Sequence, residues 1–181
     1  MNLLPRSALA ISILLVITVV VAAQQPAPVV SGKLVLGTDG AHAGSTVQAA
    51  AVAEVASGYH INDHVPSLDY LIPTELKLEP APPLAAGPAV YPKGKPVKFT
   101  FLDQPISVYQ GRLVVRAPLK VAPGARPGAY AVKGALSYQA CNDHACLPPA
   151  SLPLSLTVTV VPPSQALKRV NSDAFSGKTS H

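Results

Sequence analysis

Twenty prolines are spread along the 181-residue chain, and they limit its fold more than any other feature of the sequence. A proline inside an α-helix removes a hydrogen bond and collides with the preceding turn, which excludes a helical bundle. The apolar residues are mainly Val, Ala and Leu, and Trp is absent. Valine-rich segments broken by Pro and Gly are typical of short strands joined by turns.

Alternation of apolar and polar residues marks the individual strands. In residues 152–161, Leu and Val occupy every second position from Leu154 to Val160, and Ser or Thr lies between them. The Ala-rich residues 45–55 have helical propensity, but their alternation and flanking glycines favour a strand. About eight such segments, with turn residues about every ten positions, predict an all-β antiparallel sandwich over residues 29–162. The polar residues 163–181 lack periodicity and predict a flexible tail.

The start of the chain indicates export. Arg6 is followed by an almost wholly apolar run, residues 8–21, and by Ala22-Ala23. A positive start, a short apolar run and small residues at its exit predict a signal peptide over residues 1–23, followed by a Pro/Gln linker over residues 24–28. The alternative is an uncleaved membrane anchor, although the run is shorter than the roughly 20 residues that span a bilayer. Either reading places the remaining chain outside the cytoplasm.

The positive charge does not point to nucleic acid. The net charge is +5, but the Lys and Arg residues form no cluster and are not interleaved with aromatic residues. A nucleic-acid-binding domain normally carries a basic stripe or patch. We therefore expect no nucleic-acid partner.

The chain has two cysteines, Cys141 and Cys146, separated by four residues between two predicted strands. If those strands form a hairpin, the cysteines face each other with Cα atoms about 4.5–5.5 Å apart, a separation that a disulfide accepts. A bond that closes so short a loop adds little stability, which suits a disulfide that opens and closes. Exchange needs an accessible thiolate, and a protonated His144 in the loop would stabilise one whereas Asp143 would oppose it.

Three alternatives remain for this loop. The disulfide can be purely structural, and His144 can be a solvated loop residue. Cys141, His144 and Cys146 have the right donor types for a metal, but three ligands within six residues and no second cluster make a weak site. A cysteine nucleophile with a histidine base would need a free thiol, which an even pair in an oxidising compartment disfavours. We predict no metal and no cofactor.

The stretch from Tyr138 to Pro149 (YQACNDHACLPP) resembles the active-site hairpin of the N-terminal periplasmic domain of the thiol:disulfide interchange protein DsbD. Residues 58–62 (GYHIN), 71–74 (LIPT) and 108–111 (VYQG) occur in the order and spacing of that family. The resemblance covers about residues 29–161. It implies an immunoglobulin-like sandwich and a redox-active cysteine pair in the periplasm, with a link to cytochrome c biogenesis.

The resemblance also assigns roles to particular residues. It implies that Cys146 forms the mixed disulfide with a downstream partner and that Cys141 resolves it. Phe101 is the candidate for the family's cap over the cysteines, while His60 and Asn62 stand where the best-known member has tyrosines. With Tyr138 and His144, these residues make up the predicted surroundings of the active site. The cysteine spacing differs from that of the best-known member, which has five intervening residues.

These features lead to two functional hypotheses. The first is a stand-alone protein-disulfide reductase component that passes reducing equivalents from a membrane-embedded reductase to exported thioredoxin-like oxidoreductases, both supplied in trans. The second is an exported binding or scaffolding domain whose disulfide is structural. The reduction potential separates them, because structural disulfides lie below about −300 mV.

Overall fold

The computed structural model describes residues 28–99 and 103–176, which form twelve strands and one short helix. The predicted signal peptide and most of the linker lie outside the described residues. The strands are β1 Val30–Leu36, β2 Ala41–His42, β3 Thr46–Val55, β4 His60–Asn62, β5 Glu75–Pro80, β6 Leu84–Ala86, β7 Lys95–Val97, β8 Ile106–Tyr109, β9 Arg112–Val121, β10 Gly128–Tyr138, β11 Ala140–Cys141 and β12 Ala150–Val161; the helix is α1 Ser172–Phe175.

Two four-stranded sheets pack face to face and enclose the main core. Their strand orders are β1-β3-β9-β6 and β2-β12-β10-β5. The pairs are antiparallel except for a two-residue parallel pairing of β2 with β12 at one edge. The core combines residues from both sheets, among them Val47, Val115, Leu136 and Val158. The chain therefore has the all-β, immunoglobulin-like sandwich that the sequence predicts.

Strand alternation explains which residues fill this core. In β12, Leu154, Val158 and Val160 are buried and Leu156 is half-buried, while the intervening Ser and Thr residues are exposed. Residues 46–55 form a strand and not a helix, because every second side chain of β3, from Val47 to Val55, faces the opposing sheet. Both observations confirm the predicted strands.

A third, smaller sheet lies beside the sandwich and has the order β11-β4-β8-β7. Gly111 joins β8 of this sheet to β9 of the main sandwich and has a positive φ of 60°. That backbone conformation favours glycine and lets the chain change sheets within two residues. Residues 110–111 are thus the crossover between two sheets.

The C-terminal segment differs from the predicted flexible tail. Residues 164–176 fold back on the first sheet, where Thr38 bridges to Arg169 and the side chain of Arg116 donates to the backbone carbonyl of Ala174. Ala174 itself is buried. Polar composition misses this docking, because hydrogen bonds to backbone carbonyls and one small buried side chain leave no periodic pattern.

Among the described residues no helix is long and apolar enough to cross a membrane.

Candidate functional site

Cys141 and Cys146 form a disulfide at the far end of the β10–β12 hairpin. Their Cα atoms are 3.9 Å apart, closer than the sequence predicts. The cause is the type of pairing. Leu147 N–H donates to Ala140 O on one side of the pair, and Asn142 N–H donates to Ala145 O on the other. The cysteines are thus a non-hydrogen-bonded antiparallel pair, the type in which opposed residues approach most closely.

The turn between the cysteines depends on Asn142. Its side-chain Oδ1 accepts the backbone N–H groups of His144 at 2.9 Å and Ala145 at 2.8 Å. A short amide side chain that replaces a backbone acceptor is a common way to close a tight turn. Asp143 and His144 therefore lie at the tip, and both are exposed.

The hairpin leaves the main sandwich after Tyr138, and β11 pairs instead with β4. Cys141 lies directly opposite His60, and Ala140 opposite Ile61. Because alternate residues of a strand point to opposite faces, Ala140 and Ile61 belong to the main core while Cys141 and His60 share the other face. Cys146, Cys141 and His60 consequently form one row across the strands.

A small second core lies on that other face. Phe99, Ile106 and Val108 are buried in it, and the half-buried Leu68, Leu71 and Val97 pack against it. Asn62 is opposite Val108 and therefore faces the same side. The disulfide thus sits at the edge of a separate apolar cluster and not above the main core.

The two cysteines differ in exposure. Cys141 is 2% exposed, whereas Cys146 is exposed to solvent. Attack on a disulfide requires access to one of its sulfur atoms. Cys146 is the cysteine that another protein can reach, and Cys141 is the one that the fold covers.

His60 is 3% exposed and its ring stacks on that of Phe99, with the ring centroids 4.3 Å apart. Burial lowers the pKa of His60, and the nearby Asp143 carboxylate opposes that effect. The imidazole is therefore neutral at neutral pH, since the ordinary pKa of histidine is already about 6.5.

Asn62 anchors the loop of residues 63–74 that covers part of the small core. Its Nδ2 donates to Ile72 O at 2.9 Å, and its backbone carbonyl accepts the hydroxyl of Thr74 at 2.6 Å. The side chain is fully buried, and its Oδ1 has no partner among the described residues. Asn62 therefore holds this loop in place.

Asp63, which lies outside the motifs identified in the sequence, organises the region behind this row. Its carboxylate accepts hydrogen bonds from Ser107 Oγ at 2.6 Å, Tyr109 Oη at 2.5 Å and Gly94 N–H at 3.2 Å. Burial would raise the pKa of Asp63, but the hydrogen bonds from Ser107 and Tyr109 outweigh it and lower that pKa. The sequence signal that was available is an acidic residue directly after residues 58–62.

The remaining predicted site residues are Tyr138, His144 and Phe101. Tyr138 is buried in the main core, where burial raises its pKa, so it faces away from the row of Cys146, Cys141 and His60. His144 lies exposed at the turn. Phe101 lies outside the described residues. No group of three or more His, Cys, Asp or Glu side chains that could hold a metal ion occurs within residues 28–99 and 103–176.

The fold and the site together define an antiparallel β-sandwich with a disulfide on a hairpin. One cysteine of this disulfide is buried and the other is exposed. The chain belongs to the family of the N-terminal domain of the thiol:disulfide interchange protein DsbD, whose family model matches residues 34–156. No curated protein sequence is close enough to the chain to count as a relative.

Several solved structures are similar to the chain. The reduced DsbD N-terminal domain of Neisseria meningitidis is 22% identical with a TM-score of 0.41, and the match covers 68% of this chain and 86% of that one. The complex of the DsbD and PilB N-terminal domains from the same organism is 22% identical with a TM-score of 0.40, and the match covers 72% of this chain and 89% of that one. The N-terminal periplasmic domain of ScsB from Proteus mirabilis is 14% identical with a TM-score of 0.41, and the match covers 69% of this chain and 44% of that one.

Proposed function

We propose that the chain is a periplasmic thiol–disulfide exchange module. The Cys141–Cys146 pair passes reducing equivalents from a membrane-embedded reductase to exported thioredoxin-like oxidoreductases. The observation that carries the proposal is the unequal exposure of the two cysteines within a hairpin of the DsbD N-terminal family. Export through residues 1–23 is part of the proposal, and the N-terminal sequence of the mature protein tests it.

Electron transfer follows from this asymmetry. In the reduced protein the thiolate of Cys146 attacks the disulfide of an oxidised partner, and one partner thiolate leaves. Cys141 then attacks Cys146 Sγ, the intermolecular bond breaks, and the second partner thiolate leaves. The pair is oxidised to its disulfide, and the partner gains two electrons. The reverse sequence reloads the pair from the membrane reductase.

The surface around Cys146 supports docking of another chain. Leu147 follows the exposed cysteine and is itself 36% exposed, and Pro148 and Pro149 after it lack backbone N–H donors. This segment therefore offers an apolar surface beside the reactive sulfur without competing backbone donors. The cap role of Phe101 stays part of the proposal, and it is supported by the neighbouring Phe99, which already lies over His60.

Trapping in the periplasm tests the proposal. With Cys141→Ala, the exposed Cys146 cannot be resolved, and mixed disulfides with thioredoxin-like proteins should accumulate on a non-reducing gel. The matched variant Cys146→Ala leaves only the covered cysteine and should trap little or nothing. Equal trapping by both variants, or none by either, would contradict the assigned roles.

A structural disulfide is the second candidate, because Cys141 is almost wholly buried next to the small core. In that case the double variant Cys141→Ser/Cys146→Ser would lose stability but keep any partner binding. The exchange proposal predicts instead that the double variant loses all reductase activity toward an oxidised thioredoxin-like protein.

A further inference from the structure

We propose that His60 is the base that takes the proton from the Cys141 thiol when Cys141 resolves the mixed disulfide at Cys146. The inference rests on the exchange function proposed above and adds a residue that lies directly opposite the reacting group. No role in proton transfer follows from the cysteine motif itself, because His60 lies about eighty residues before it along the chain.

Strand pairing places the two groups together. Cys141 and His60 are directly opposed partners of β11 and β4, and such partners have Cβ atoms about 4.5–5.5 Å apart on one face. Cys146 is opposed to Cys141 on the other side. Cys141 therefore stands between His60 and Cys146. It can pass its proton to His60 on one side and attack the Cys146 sulfur on the other.

The buried position of Cys141 creates the need for a base. A thiol must ionise before it attacks a disulfide, and apolar burial resists that ionisation. With 2% of its surface exposed, Cys141 has almost no water to receive its proton. A side chain beside it must do so, and His60 is the group that the register supplies.

His60 has the charge state that this task requires. Burial lowers its pKa, so the ring is unprotonated and able to accept a proton at neutral pH. Asp143 is the charged group that acts on it, and its carboxylate favours the imidazolium once formed. Lys98, next to the stacked Phe99, directs its ammonium to the backbone carbonyl of Asp103. The arrangement stabilises a thiolate–imidazolium pair during the attack.

The step balances as follows. The Cys141 S–H bond breaks, its proton moves to an imidazole nitrogen of His60, and the thiolate attacks Cys146 Sγ. The Cys141–Cys146 bond forms while the bond from Cys146 to the partner sulfur breaks. The partner sulfur leaves as a thiolate, and the imidazolium proton passes to it or to solvent.

Stopped-flow reaction of the reduced full-length mature protein with dithiobis(nitrobenzoate) separates the two thiols. The first released chromophore reports attack by Cys146, and the second reports resolution by Cys141. His60→Gln should leave the first phase unchanged and slow the second by about 100-fold or more at neutral pH. The deficit should shrink at alkaline pH, where hydroxide ionises the thiol directly. His42→Gln, at the opposite end of the sandwich, is the matched control and should behave as wild type.

A second variant covers the case in which His60→Gln fails to fold. Asp143→Asn alters only the exposed turn, and it should move the inflection of the second-phase pH profile to lower pH. Two results would contradict the role of His60 and leave the exchange function standing. One is a folded His60→Gln protein whose second phase matches wild type across the pH range. The other is an inflection that does not move in Asp143→Asn. If the wild-type protein releases no second chromophore, the exchange function falls as well.

Discussion

At the scale of single residues, Asp63 connects parts of the chain that are far apart in sequence. Its hydrogen-bond donors Gly94, Ser107 and Tyr109 follow it by 31, 44 and 46 positions. They belong to the segment before β7 and to β8, the strands at the far side of the small sheet. One carboxylate thus holds β4, which carries His60, against the rest of that sheet.

Asp63→Asn should destabilise the protein by about 1–2 kcal/mol near neutral pH, because charge-assisted hydrogen bonds are replaced by weaker ones. The pKa of Asp63 is lower in the folded protein than in the unfolded chain, so its contribution is complete above the unfolded value. It is lost as the pH falls through the folded value. Urea unfolding from pH 7 to pH 2 should therefore show a difference between wild type and variant that begins to shrink below about pH 4 and is lost at the lower pH where Asp63 is protonated in the folded protein. A constant difference would contradict the role of the carboxylate charge.

At the scale of elements, the approach of the segment before β7 to β4 leaves no room for a side chain at Gly94. A Cβ at this position would lie 2.4 Å from Ser107 Oγ and 2.5 Å from Asp63 Oδ2. Gly94→Ala should therefore lower the free energy of unfolding by about 1–3 kcal/mol. Gly124→Ala is the matched control, since nothing lies within 4 Å of its Cβ position, and it should be neutral or slightly stabilising. Denaturant titration measures the free energy of unfolding of both variants. Equal losses of that free energy in the two variants would contradict the close approach at Gly94.

The docked segment 164–176 is the second element with a measurable role. Its α1 packs on β3, and Arg112 forms an ion pair with Asp173 at 2.6 Å. Truncation after residue 163 should lower the unfolding free energy by about 1–3 kcal/mol, or the Tm by several degrees. Truncation after residue 176 is the control and should leave the Tm unchanged. Both proteins should keep the wild-type exchange rate, because the segment lies on the first sheet and the disulfide is beside the third.

The elements also show what the sequence could and could not predict. Long alternating segments such as residues 46–55 and 152–161 were identifiable because five or more positions repeat the same pattern. The small sheet was not identifiable, because β4, β7, β8 and β11 contain two to four residues each. Its assembly depends on distant partners such as Asp63 and Tyr109. The cysteine pairing was predictable from spacing, but the burial of Cys141 against His60 required the register of β11 on β4.

At the scale of the whole molecule, the two main sheets form the sandwich and the small sheet carries the residues of the proposed site. The main core fills the space between two sheets, so the hairpin can extend beyond it without weakening it. One cysteine is anchored next to the small core and the other is presented to solvent. Such an arrangement suits a module that exchanges electrons through brief encounters with other proteins.

The reduction potential of the Cys141–Cys146 pair tests this account most directly. Equilibration of the mature protein with glutathione redox buffers, followed by alkylation of free thiols and mass spectrometry, measures it. The exchange function predicts a potential above about −300 mV, in the range of disulfide oxidoreductases. A potential clearly below that value would identify a structural disulfide and would contradict the proposed function.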